Sequence, residues 1–238
     1  MTGMRLGLLI CDHVRPEFRG ISGDYEDMFR RLFADHEDIE IVAYDSVNGE
    51  IPDDPSECDA WITSGSLHSV NDEAAWIRDL EDFVRKVAAA QVPFVGICFG
   101  HQLIAKALGG TVVRSERGWG LGVKEVVVRD DLGIGDSYRV LNGHQDQVQT
   151  LPPGGAVLGW NEHCPVSMLG VGDTLLGIQG HPEFEPAYTR AVLESRRDVV
   201  IPTDLVTAGL ATLSQPTDGD RLADWLAEWL SSGSGRTG

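Results

Sequence analysis

Apolar residues along the chain fall into two repeating patterns. Short unbroken runs, LGLLIC (6–11), IEIVAYD (39–45), DAWITSGS (59–66) and VPFVGIC (92–98), predict buried strands. Between them, apolar positions return every three or four residues. In 23–38, Tyr25, Met28, Phe29, Leu32 and Phe33 share one side of a predicted helix. In 71–91, Trp76, Leu80, Phe83, Val84 and Val87 do the same, and Asn71 or Asp72 stands where a cap belongs. NGEIPDDPSE (48–57) is polar and broken by proline, and reads as a loop.

Strands alternating with helices imply an α/β fold, a doubly wound, mostly parallel sheet flanked by helices. From 111 to about 180 the rhythm changes. TVVR, VKEVVVR, YRVLNG, AVLGW, VSMLGVG and TLLGIQG predict a smaller, partly antiparallel, strand-rich section. Helical spacing returns at 217–231, where Leu222, Trp225, Leu226, Trp229 and Leu230 share a face and the two tryptophans read as core anchors. Residues 1–238 are expected to form a single domain, ordered over 1–232 with a flexible tail at 233–238.

Composition narrows the function. The 238 residues carry 19 basic against 37 acidic side chains, a formal charge of -18. Such a surface releases no counterions from nucleic acid and is repelled by anionic membranes, so neither is expected as a partner. The first apolar run is too short for a signal sequence or a membrane span. Cys11, Cys58, Cys98 and Cys164 form no CxxC pair and no zinc-finger spacing. A cytoplasmic, reducing location is the expectation, in which a lone cysteine is catalytic or buried.

Cys98 stands out from the other three. It closes the run 92–98, has Gly96 and Gly100 two positions to either side, and is followed at once by a helical pattern. In a nucleophile elbow the central residue takes a strained, positive φ, and side chains at the flanking positions would collide. The sulfur then projects from the carboxyl edge of the sheet at a helix N-terminus, a setting that favours thiolate over thiol. A tight turn around a buried structural cysteine would have the same local sequence.

GICFGHQLIAKALGG (96–110) resembles the nucleophile segment of class I, triad-type glutamine amidotransferases. That resemblance implies a distant His-Pro-Glu, and TLLGIQGHPEF (174–184) supplies His181, Pro182 and Glu183. By the same resemblance Glu183 orients His181, and His181 is the base for Cys98. It also implies an oxyanion hole made by the backbone N–H of Gly65 or Ser66, in the loop after the third strand, together with that of Phe99. Here the sequence departs from the family: Ser-Gly-Ser-Leu-His stands where a second glycine and a proline are usual, which leaves the donor's position open. The segment Asn142–Val148 resembles the family's glutamine pocket, with His144 and Asp146 as candidates for the α-amino and α-carboxyl groups and Gln145 and Gln102 as further candidate substrate contacts. A polar turn between strands would read the same way.

His13, His36, His68, His101 and His163 have no partner motif, and His101 is expected to be structural. GWGLG (118–122) precedes a strand and is no phosphate cradle, so neither a metal nor a cofactor is implied. The resemblance therefore implies cleavage of a γ-glutamyl amide through a γ-glutamyl thioester. SGSLH, GICFGHQ, HQDQV and IQGHPE, in this order, look particularly like stand-alone γ-glutamyl peptidases, and also like the glutaminase portion of GMP synthase. The alternatives are a glutaminase subunit serving a separate synthetase, and a non-catalytic relative. Intact Cys98, His181 and Glu183 count against the last. A peptidase must admit a bulky amine where an amidotransferase admits ammonia, and pocket width is not written in the sequence.

Overall fold

A computed structural model describes residues 3–130 and 132–232. The expected tail at 233–238 lies outside the described residues. The strands are β1 (Met4–Leu9), β2 (Ile39–Tyr44), β3 (Ala60–Thr63), β4 (Phe94–Ile97), β5 (Thr111–Arg114), β6 (Gly120–Val128), β7 (Ser137–His144), β8 (Asp146–Thr150), β9 (Gly155–Trp160), β10 (Met168–Val171) and β11 (Leu175–Ile178). The helices are α1 (Arg19–Ser22), α2 (Tyr25–Leu32), α3 (Ala75–Ala90), α4 (Phe99–Ala107), α5 (Pro186–Arg196), α6 (Thr203–Ala211) and α7 (Gly219–Ser232).

Nine strands form one sheet in the order β2-β1-β3-β4-β11-β10-β9-β6-β7, and β5 pairs with β8 apart from it. From β2 to β11 neighbours run parallel, and from β11 to β7 antiparallel. Most of the strand-rich section thus extends the same sheet, while its β5 and β8 form the separate pair. The parallel strands are apolar on both faces because both are covered. Leu6, Leu8, Ile62, Val95, Ile97 and Ile178 point into the layer built on α2 and α7. Leu9, Trp61, Phe94 and Leu175 point the other way, against α3 and α4. Among the described residues no helix is long and apolar enough to cross a membrane.

Two predicted helices are shorter than their apolar patterns. The 23–38 helix stops at Leu32, where Phe33 leaves helical geometry and the chain turns toward β2. Its start is sharp because the Asp24 carboxylate and the Asp27 carboxylate each accept the other's backbone N–H. The 71–91 helix begins only at Ala75, and neither expected cap serves it. Asp72 instead accepts the Ser69 N–H, and the Asn71 side-chain amide donates to the Val112 carbonyl. Ile77 rather than Trp76 completes the buried face of α3, which leaves Trp76 half-buried and stacked on Phe99 at 5.4 Å.

Candidate active site

The site forms at the carboxyl edge of the parallel strands, where β4 and β11 lie side by side with Ile97 opposite Ile178. Their register brings the segments after them, at 98 and 179–184, to one place although they are far apart in sequence. Cys98 sits at the turn into α4 with φ 50° and ψ −91°, a conformation that costs about 1–3 kcal/mol and persists only where the surroundings enforce it. The surroundings do so by close packing. A Cβ on Gly96 would lie 2.3 Å from the Gly100 backbone, and a Cβ on Gly100 would lie 1.8 Å from Thr63 Oγ1. The Cys98 N–H donates to the Ile178 carbonyl at 2.8 Å, which ties the elbow to β11. The thiol is 6% exposed and accepts a hydrogen bond from the Gln179 amide at 3.6 Å.

His181 follows β11 and is held from four directions. Its N–H donates to the Leu141 carbonyl at 2.8 Å. Its Nδ1 lies 2.8 Å from Glu183 Oε1, and Phe184 stacks flat on the ring at 3.8 Å. The ring also hydrogen-bonds Cys98, and Nε2 is the nitrogen left to do so. Burial by itself would lower the imidazole pKa. The carboxylate of Glu183, followed by the charge and hydrogen bond of Cys98, more than reverses this and raises it to about 10. Both His181 and Glu183 are 5% exposed, so little solvent screens the pair.

The 64–68 loop passes directly over this imidazole. A Cβ on Gly65 would come within 2.5 Å of His181 Cε1, so only glycine allows the approach. Ser64 anchors the loop by donating its N–H to the Leu9 carbonyl and accepting the Cys11 N–H on its hydroxyl. Asp12 accepts the Leu67 N–H at 2.9 Å. Among the described residues the N–H groups of Gly65, Ser66 and Phe99 donate to no protein acceptor. Donors without partners beside a sulfur are suited to a developing oxyanion.

A cleft of about 140 Å³ opens over the sulfur, lined among others by Ser66, Phe99, Gln102, His144, Gln145 and Asp146. The structure thus gathers every residue expected for the substrate pocket around one space, but it redistributes their tasks. The Gln102 amide donates to the Asp146 carbonyl at 2.8 Å and to Gln179 Oε1 at 3.2 Å, so it braces the floor of the cleft. His144 is buried, and burial lowers its pKa to about 3. Its Nδ1 lies 3.2 Å from the Asp146 carbonyl, an acceptor, so the proton sits there and Nε2 carries a lone pair. A neutral ring of this tautomer accepts from an ammonium and offers no charge to a carboxylate. The Asp146 carboxylate, held by the Ser69 hydroxyl at 2.6 Å, is the anion available to an α-ammonium.

His101 is fully buried on α4 against Gly177, and burial lowers its pKa to about 4. Its ring takes no part in the cleft. Among the described residues no group of three or more His, Cys, Asp or Glu side chains could hold a metal ion. Sequence reading missed Gln179, Phe184, Tyr25, Tyr188 and Arg196. Gln179 and Phe184 flank the His-Pro-Glu and were within reach of a motif-based argument. Tyr25, Tyr188 and Arg196 come from helices whose apolar pattern looks like ordinary core.

Known proteins resemble the chain in sequence and in fold. The family described as glutamine amidotransferase class-I matches residues 25–196. Gamma-glutamyl peptidase 4 of Arabidopsis thaliana is 31% identical over 213 residues, covering 85% of this chain and 83% of the relative. Gamma-glutamyl peptidase 2 of the same plant is 33% identical over 171 residues, 68% of each chain. A glutamine-hydrolysing GMP synthase subunit of Thermococcus kodakarensis is 43% identical over 96 residues, 39% of this chain and 51% of the relative. The crystal structure of a glutamine amidotransferase from Thermotoga maritima shares the fold, with a TM-score of 0.76 at 21% identity over 98% of this chain and 99% of that one. With its sheet, its elbow cysteine and its sequence relatives in agreement, the chain belongs to the class I glutamine amidotransferases and is a cysteine-dependent amidohydrolase.

Proposed function

We propose that the protein, working as a single domain, hydrolyses the γ-glutamyl amide bond of γ-glutamyl amides or peptides through a thioester on Cys98. The observation that carries this reading is the arrangement at His181: an imidazole clamped by Glu183 and Phe184 and hydrogen-bonded to a cysteine in a strained elbow. With its pKa near 10, His181 is protonated at neutral pH and already holds the proton that the leaving nitrogen needs. The sulfur attacks the γ-carbonyl carbon, and the oxyanion is received by the free N–H groups of Phe99 and of Gly65 or Ser66. The imidazolium then donates its proton to the nitrogen, the C–N bond breaks, and the amine departs. Having given its proton to the amine, the imidazole is neutral and can take a proton from water. The resulting hydroxide attacks the thioester, the sulfur leaves, and glutamate is released.

A second reading, delivery of ammonia to a separate synthetase, draws on the relative named as a GMP synthase subunit. The names of the relatives covered over most of their length favour the peptidase reading. The test is purified protein alone, incubated with glutamine, glutathione and a γ-glutamyl anilide and followed for free glutamate. Cys98→Ala and Cys98→Ser serve as controls. Glutamate from the bulky amides, lost in both variants, is expected. Inertness until a synthetase partner is added would favour ammonia delivery, and activity that survives Cys98→Ala would refute both readings.

A further inference from the structure

Two spaces meet at the Cys98 sulfur, and they differ in whether they touch His181. The cleft lined by Gln102 and Asp146 does not reach the imidazole, although Arg196 stands on its border as well as on that of the space described next. A second space, of about 50 Å³, is lined by both Cys98 and His181, together with Tyr25, Phe184, Tyr188 and Val192. A leaving nitrogen must lie within hydrogen-bond reach of the group that protonates it. The first space therefore takes the glutamyl group, and the second takes the amine. A third space, of about 20 Å³, continues the second, shares Tyr25, Leu67, Tyr188, Val192 and Arg196 with it, and ends at His13 and Arg15. The path from the sulfur is thus an apolar neck with room for a few non-hydrogen atoms, opening on charged residues.

The positive charge along this path is unusual for this chain. In a protein with a formal charge of -18, Arg196 has no carboxylate partner and no side-chain hydrogen bond among the described residues. It is half-buried, closes α5, and sits over the Trp119 ring at 5.9 Å. Burial and then the repulsion of Arg15 both weigh against its charge. Arg15 itself has only a loose, exposed contact with Glu17 at 4.0 Å. The neighbouring anions are engaged elsewhere. The Asp12 carboxylate accepts the His13 N–H at 2.8 Å and the Leu67 N–H at 2.9 Å. The ring nitrogens of His13 face Asp24 at 2.9 Å and Asp45 at 3.1 Å. A half-buried guanidinium without a partner is costly, and its planar fork matches a carboxylate.

We propose that Arg196, supported by Arg15, is a specificity-determining residue that binds the free carboxylate of the leaving amine, so that the preferred substrates are γ-glutamyl amides of amino acids or short peptides. This rests on the hydrolase reading above and adds to it the side of the substrate that departs. It predicts discrimination by charge rather than by bulk, because glutamine and neutral amides bring no carboxylate on the leaving side to Arg196, while a free acid does.

The test compares γ-glutamylalanine, its C-terminal amide and glutamine on the wild type, Arg196→Met, Arg196→Lys and Arg15→Gln, with folding checked by circular dichroism. The wild type should prefer the free acid over the amide. Arg196→Met should lower the acid-to-amide ratio of kcat/KM on the order of 10- to 100-fold, mainly through KM. Arg196→Lys should recover part of the ratio, and Arg15→Gln should lower it less. If Arg196→Met does not fold, the ratio in the exposed Arg15→Gln variant decides. An unchanged ratio overturns the proposal. So does an equal loss on all three substrates, which would put Arg196 on the glutamyl carboxylate instead. If the wild type cleaves none of the three, the hydrolase reading has failed separately. Calorimetric titration of Cys98→Ala with the acid and the amide then still reads the preference, and equal or absent binding overturns the carboxylate site.

Discussion

Replacing Gly100 by alanine tests how rigidly the elbow is built. The added Cβ would lie 1.8 Å from Thr63 Oγ1, 2.9 Å from Thr63 Cβ and 3.2 Å from Thr63 Cγ2. An ordinary contact begins at 3.4 Å, so relief at the oxygen requires an opening of about 1.6 Å. Thr63 cannot rotate away easily. It is β-branched and fully buried, and its hydroxyl accepts the Ile97 N–H at 3.2 Å. The start of α4 must move instead, and it carries Cys98 and the Phe99 N–H. Overpacking of this depth costs about 3 kcal/mol, which in a chain of this size lowers Tm by about 6–12 °C. A displacement near 1 Å at the reacting atoms costs about 100-fold in turnover. Thermal unfolding and kcat on a γ-glutamyl anilide measure the two effects. Adding Thr63→Ala removes Oγ1 and Cγ2, so the double variant should be more stable than the sum of the singles by at least about 1 kcal/mol. Wild-type Tm and turnover in Gly100→Ala, or strict additivity in the double variant, would refute the claim that Thr63 and Gly100 lock the elbow.

The remaining predictions concern charge and access. Because His181 titrates near 10, the imidazolium that protonates the leaving nitrogen persists through neutral pH and is lost only as pH rises through about 10, so kcat/KM should stay level to about pH 9 and then fall. Glu183→Gln removes the larger of the two charges that raise this pKa, so the alkaline limb should move to lower pH and kcat should drop on the order of 10²- to 10⁴-fold; a limb that stays in place would show that Glu183 does not set it. Iodoacetamide should modify Cys98, which lines the cleft, well before the other thiols. Burial raises the pKa of Cys11, Cys58 and Cys164, the last to about 11, and equal labelling of all four by peptide mass spectrometry would contradict the argument.

What could be read from the sequence divides along a physical line. Positions where the backbone must pass closely, such as Gly65, Gly96 and Gly100, leave their mark as an obligatory residue type. The short parallel strands leave theirs as runs apolar on both faces. Helix ends are harder to place, because Asn71 and Asp72 are good capping types that instead satisfy β5 and the preceding turn. Trp76 fits the helical spacing of α3 as well as Ile77 does, and only the structure shows that the indole is turned toward Phe99. The tautomer of His144 was illegible for a different reason. It follows from burial and from the carbonyl of Asp146, two residues on in the next strand, and neither is a property of the residue type.

The same division separates the two halves of the substrate. On the hydrolase reading the oxyanion is addressed by backbone groups, the free N–H donors of Gly65, Ser66 and Phe99, and backbone groups are placed by strand register and glycine packing. The leaving side is addressed by side chains from α2, α5 and the 12–18 loop, all of them outside the elbow and its glycine contacts. Substitutions at Tyr25, Tyr188, Val192 or Arg196 can therefore alter which amine departs without moving Cys98 relative to its oxyanion donors. Substitutions in the glycine frame must damage every substrate alike. On the proposal that Arg196 receives the leaving amine, substrate choice rests on the 12–25 and 188–196 segments, and a swap of those segments alone should change the preferred amine while leaving the pH profile set by His181 and Glu183 in place.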